Sequence, residues 1–134
     1  MTRIYISGKI GEEELSSATI QKFRDAESAL LDLRFDVFNP CDERWQRTLR
    51  REYEHDSLVK SPWLTAKFPD FYSYALLRDM MVISTLDALC LLPDWRQSKG
   101  TRAELAFAQA TGKKIYELNE YGTLIEWEDT SSQP

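Results

Sequence analysis

The feature that most constrains the fold is Asp87-Ala88-Leu89-Cys90-Leu91-Leu92, a near-continuous apolar run of strand length that stops at Pro93. A strand without polar alternation has to be covered on both faces. That is the situation of a central strand in a parallel sheet with helices on either side. Downstream, a polar loop carries Ser98, Lys99 and Gly100, and an Ala-rich helix is predicted over 98–111, stopped by Gly112. A strand, a glycine-bearing loop and a helix start make a natural anion site, because the first helical N–H groups have no partner and glycine admits close approach. Glu104 falls in the first or second turn of that helix. Spacing alone leaves two readings open for it: a surface carboxylate complementing the helix dipole, or an acid serving the crevice.

The N-terminal third predicts a βαβ opening. Arg3 to Lys9 alternates and is rich in β-formers, and Gly8 offers the turn that ends it. A helix is expected over 12–34, with Leu15, Ala18, Phe23, Ala26, Leu30 and Leu33 on its core face. Phe35 to Phe38 is a second short strand, halted by Asn39-Pro40. Later come a helix over 72–85, a fourth strand over 114–118, and a fifth element over 123–127 that reads as an edge strand or a closing helix. The resulting order predicts a small doubly wound, Rossmann- or flavodoxin-like α/β layer of four to five strands with helices on both faces. With a 2-1-3-4 strand order, the ligand crevice lies beyond the carboxyl ends of the first and third strands. It would collect Tyr5, Ser7, Gly8 and Lys9 from one side and Asp94 to Thr101 from the other, with Glu104 close by.

The stretch 41–71 is of another character. Trp45, Tyr53, Trp63, Phe68 and Phe71 are mixed with Arg44, Arg47, Arg50 and Arg51, and Pro62 and Pro69 divide it. Its first part, 42–57, is predicted helical. Aromatics interleaved with arginines suit either base stacking and phosphate contact or a half-buried helix with snorkelling side chains. The lone His55, among charged neighbours, is read as a surface residue.

Composition narrows the functional classes. At 134 residues with 43% apolar and 29% charged side chains, the chain is expected to be one globular domain, 1–134. Seventeen basic against 22 acidic residues give a net charge of -5, which disfavours a duplex nucleic-acid surface but leaves room for a small phosphorylated ligand. Cys41 and Cys90 lack metal-like spacing and read as reduced thiols of a cytoplasmic protein, the second buried. No metal or cofactor is expected. A strand begins almost at once and no apolar stretch approaches membrane-spanning length, so neither a leader nor a membrane anchor is expected.

Tyr5-Ile6-Ser7-Gly8, then Arg78-Asp79 ahead of the third strand, then Leu92-Pro93-Asp94-Trp95 through Ser98-Lys99-Gly100 to Glu104-Leu105-Ala106 together resemble the nucleoside 2-deoxyribosyltransferase-like superfamily. Within it, the Trp, the Ser-x-Gly and the Glu-x-x-x-Ala pattern are most similar to a branch of small phage and bacterial proteins of unknown function. The resemblance spans about 1–40 and 72–118 and leaves 41–71 as an insertion. It implies cleavage of the N-glycosidic bond of a nucleoside or its 5′-monophosphate. Glu104 would be the nucleophile, Asp79 the acid contacting sugar or base, and Tyr5 the residue that orients the nucleophile. The chemistry is coherent: departure of a base leaves positive charge at the sugar carbon, which a carboxylate stabilises or traps as an ester, and the base needs a proton.

The chain departs from the transferases of that superfamily at Ser98, six residues before Glu104, where they carry an acid. A serine there is similar to the enzymes that hydrolyse 2′-deoxynucleoside 5′-monophosphates, and Ser7, Lys9, Ser98 and Lys99 would suit the phosphate. Asp94 remains available as the acid of a transferase. Thr101-Arg102 is bulkier than the corresponding residues of the enzymes. The candidate substrate contacts are therefore Ser7, Gly8, Lys9, Asp94, Trp95, Ser98, Lys99 and Gly100. Hydrolysis leads, base exchange is the alternative, and a catalytically silent nucleotide binder is the alternative of another class. The resemblance also implies a homodimer or larger assembly, with the aromatics of 41–72 near the interface or folded back as a lid.

Overall fold

The computed structural model describes residues 1–10, 15–55 and 68–128. Five strands, β1 (Arg3–Ser7), β2 (Asp36–Phe38), β3 (Ala88–Leu91), β4 (Lys114–Leu118) and β5 (Leu124–Glu126), form one sheet in the order β2-β1-β3-β4-β5. The first four are parallel and β5 runs antiparallel to β4, so the fifth element is an edge strand and not a helix. The order reverses between β1 and β3, where Ser7 lies opposite Leu91 and the Leu92 N–H donates to the Ser7 carbonyl at 2.9 Å.

Among the described residues four α-helices surround the sheet, α1 (Ser17–Asp32), α2 (Glu43–Glu54), α3 (Phe71–Ser84) and α4 (Lys99–Ala110), with α2 packed on α3. Right-handed crossovers to opposite sides of β1 put α1 on one face and α3 and α4 on the other. Strand alternation follows this division. Ile4, Ile6, Ala88, Cys90 and Leu92 meet Phe23, Ala26 and Leu30 of α1. Tyr5, Leu89, Leu91 and Ile115 meet Ile83 of α3 and Leu105 and Ala108 of α4. β3 is buried along its whole length, as its composition requires. Both thiols are buried, and loss of solvation pushes Cys41 and Cys90 up to about 12.

Side-chain caps decide the helix starts. Ser16, Asp42, Asp70 and Ser98 each accept a bond from a backbone N–H in the first turn. The Ser16 cap places the start of α1 at Ser17, later than the expected 12; residues 11–14 lie outside those described. Two expected core positions fall away with it, since Ala18 is exposed and Leu33 is the half-exposed C-cap. His55 is an exposed C-cap, as a surface reading expects.

The end of α1 is strained. Phe35 N–H bonds back to Leu30 and Arg34 N–H to Leu31, closing a Schellman turn with Arg34 at φ 68°. Gly112 does the same job after α4 at φ 73° without a side chain to strain. Arg34→Gly is therefore expected to stabilise the fold by up to about 1 kcal/mol, the steric gain being partly offset by a more flexible unfolded chain. Urea unfolding at constant m-value measures it, and a destabilised variant contradicts the reading.

Of the aromatics expected near an interface or folded back as a lid, Trp45, Phe68 and Phe71 have ring partners within the chain. Trp45 packs edge-on against Phe38, Phe71 against Tyr53, and Phe68 against Tyr74, while Arg50 lies over Phe71 at 3.7 Å. Tyr72 stays exposed, and Trp63 lies outside the described residues.

Candidate active site

Tyr5 and Ser7 are two apart on β1, so both side chains rise from the sheet face that carries α3 and α4. Glu104 descends toward them from the second turn of α4. The Tyr5 hydroxyl donates to Glu104 Oε2 at 2.8 Å and the Ser7 hydroxyl donates to Oε1 at 2.7 Å. Each carboxylate oxygen thus has its own O–H donor, which aims the group and favours its ionised form. Ser7 was expected at a phosphate; its hydroxyl is buried and committed to Glu104 instead.

Asp79 comes to the same place from α3. It lies on the buried stripe with Ile83, one turn on. Arg78 pairs with Glu52 of α2 at 3.1 Å. The Trp45 indole N–H donates to Asp79 Oδ1 at 2.9 Å, and Trp45 is in turn braced by Phe38, whose ring stacks on Tyr5 at 5.7 Å. Burial pushes the pKa of both carboxyls well above the carboxylate range, and the charge of Asp79 raises Glu104 further. Hydrogen bonds from Ser7 and Tyr5 to Glu104, and from Trp45 to Asp79, pull the other way. Two buried acids so placed hold a proton between them near neutral pH. The charge of Asp79 favours the proton on Glu104, while the two hydroxyl donors on Glu104 keep the reactive state, with Glu104 ionised and Asp79 protonated, within reach. Burial and both carboxylates also push the Tyr5 phenol up, so it acts as a donor.

Beside this pair opens a cavity of about 440 Å³, within the usual range for a small-molecule site. Asp79 and Glu104 reach its wall, with Gly8, Lys9 and Ile10 on one rim and Ser98, Lys99, Gly100 and Thr101 on the other. Tyr72, Leu76 and Phe71 of α3 supply an apolar side. Ser98 caps α4, accepting from Thr101 N–H at 3.1 Å, so among the described residues the N–H groups of Lys99 and Gly100 are the unpaired ones at the helix start. A β-carbon on Gly8 would meet Leu92 Cδ1 at 2.8 Å, so this position needs glycine for the chain to pass that close to β3. Among the described residues no His, Cys, Asp and Glu group is placed to hold a metal ion.

Two expected contacts lie elsewhere. Trp95 is buried in the core under α4, edge-on to Trp127 at 6.0 Å, with its indole N–H donating to Glu117 at 3.2 Å. Asp94 is held by Lys22 at 2.6 Å and by the Lys9 N–H at 3.0 Å, and lines a separate cavity beside α1. Sequence reasoning in turn missed Trp45 as the partner of Asp79, and Lys22. The hint for Trp45 was its position three residues after a capping Asp, at the start of a helix that must pack on its own domain.

The family model for a domain of unknown function, DUF4406, matches residues 2–117. Curated proteins give no match to the sequence. Among solved structures, a 2-deoxyribosyltransferase from the psychrotolerant bacterium Bacillus psychrosaccharolyticus superposes with a TM-score of 0.53 at 17% identity, over 95% of this chain and 86% of that one. That similarity concerns the fold: a mostly parallel α/β sheet with helices on both faces. With a matched span covering β1 through all but the last residue of β4, and with it every residue placed at the carboxylate pair, the chain belongs to the DUF4406 family.

Proposed function

We propose that this protein cleaves the bond between base and sugar in a nucleoside 5′-monophosphate. The observation that carries the reading is the buried Glu104 carboxylate, gripped by two hydroxyl donors beside a second buried acid at the wall of a nucleoside-sized cavity. Glu104 attacks the anomeric carbon, and the carbon–nitrogen electron pair leaves with the base. Asp79 delivers its proton to the departing base. Water then adds at the anomeric carbon of the glycosyl ester, gives its proton to Asp79, and frees the Glu104 carboxylate. Tyr5 and Ser7 hold the nucleophile throughout. The fold it shares with a 2-deoxyribosyltransferase supports the same class of bond. Incubation with a panel of nucleotides and nucleosides, followed for free base, tests this; no base released from any of them sinks it.

Hydrolysis is favoured over base exchange because Asp94, the acid available to a transferase, is occupied by Lys22 and Lys9. Lys9, Lys99 and the first N–H groups of α4 are the groups suited to a 5′-phosphate. Lys99→Met is expected to raise KM for monophosphates roughly ten- to hundredfold, the worth of one charge-assisted bond, and to leave nucleosides unaffected. An equal effect on both substrates counts against the phosphate subsite. Faster turnover on adding a free acceptor base points to exchange.

A further inference from the structure

We propose that Lys22 and Asp94 are positioning residues that clamp the backbone of Lys9 and thereby set the rim of the substrate cavity, a claim that rests on the phosphate reading above. The geometry is a closed ring of three bonds. Asp94 Oδ1 accepts the Lys9 N–H at 3.0 Å, Asp94 Oδ2 accepts from Lys22 Nζ at 2.6 Å, and the same Nζ donates to the Lys9 carbonyl at 2.6 Å. Both polar groups of one peptide residue are therefore held from outside the sheet. The anchors come from different elements: Lys22 from α1, on the face opposite Glu104, and Asp94 from the turn that follows β3.

Among the described residues, the other hold on this segment is apolar, through Ile10 packed against the core cluster on the α1 side. β1 ends at Ser7, and Gly8 has no side chain to pack, lying as it does against Leu92. Lys9 and Ile10 nonetheless line the cavity. A charged ring with both side chains about two-thirds buried is a stiff way to hold such a turn. Lys9 then stands at the cavity rim with its own backbone immobilised, which lowers the ordering cost of each contact it makes. The clamp thus acts on substrate affinity from the far side of the sheet, without touching substrate.

Asp94→Ala and Lys22→Met remove the two anchors, and Asp94→Asn keeps an acceptor for the Lys9 N–H while losing the charge. The expected result is a KM for nucleoside 5′-monophosphates raised about tenfold in the first two and less in Asp94→Asn, with kcat within about threefold and nucleoside KM unchanged. The double variant should be no worse than the worse single one, because both anchors act on the same peptide. Amide hydrogen exchange at Lys9 is expected to quicken at least about tenfold in Asp94→Ala and in Lys22→Met, whatever the substrate. Unchanged exchange at Lys9 overturns the clamp. So does a kcat that falls in step with any rise in KM, or additive losses in the double variant. If the unaltered protein releases no base from any nucleotide, the catalytic reading fails alone, and Lys9 exchange still decides the clamp.

Discussion

Glu104→Gln is expected to abolish base release and to make the fold more stable at neutral pH. Loss of the nucleophile should lower kcat by on the order of 10⁴-fold or more. The stability effect follows from burial. The folded pKa of Glu104 is raised above its unfolded value, chiefly by desolvation and then by Asp79. Between the unfolded value, about 4.3, and the raised folded one, the native chain holds a proton that the unfolded chain releases. Stability carried by this group is therefore complete below about pH 4 and declines as pH rises through the folded pKa. Glutamine does not ionise, accepts from one hydroxyl through its carbonyl, and donates to the other through its amide. The gain should approach 1–2 kcal/mol, or roughly 2–8 °C in Tm, near pH 7 and vanish near pH 4. Calorimetry at the two pH values with a base-release assay reads both. Retained activity removes Glu104 as nucleophile, and a lower Tm at pH 7 contradicts the desolvation argument.

Asp79→Asn should cost about 10²–10⁴-fold in kcat, as the loss of a proton donor does. Trp45→Phe is the more discriminating change. The ring that packs against Phe38 is kept, and the N–H that favours the Asp79 carboxylate is lost. Glu104 and Tyr5 interact electrostatically with Asp79 and Arg78 adjoins it on α3; none of them is altered. With that donor gone the Asp79 pKa rises further, so the acid form persists to higher pH. The alkaline limb of kcat against pH is expected to move up by about one unit, the worth of one hydrogen bond to a charged group. A limb that stays put, or moves down, removes Asp79 as the proton donor.

Several positions were legible because the signal was local. Gly112 ends α4 and Glu104 falls in its second turn, both within one short stretch. The burial of Asp79 was also recoverable, since Ala75 and Ile83 flank it at helical spacing on the packed side of α3. Aromatic content was the weaker guide. Trp95 reads as a substrate contact in sequence, but its ring is consumed by the core and its N–H by Glu117. A large amphipathic ring satisfies either role, and only the surrounding shape selects one.

The sequence by itself determined the architecture. An apolar β3, βαβ periodicity and the glycine stop at Gly112 leave little alternative to a doubly wound sheet with its crevice between β1 and β3. The chemistry of the site was decided by the tertiary structure. Tyr5 and Glu104 are 99 residues apart, Trp45 and Asp79 34, and Lys22 and Asp94 72. Nothing local specifies which hydroxyl meets which carboxylate. Whether an acid is a surface charge or a buried proton carrier depends on how much water its neighbours exclude, and those neighbours arrive only when the sheet and both helix layers close.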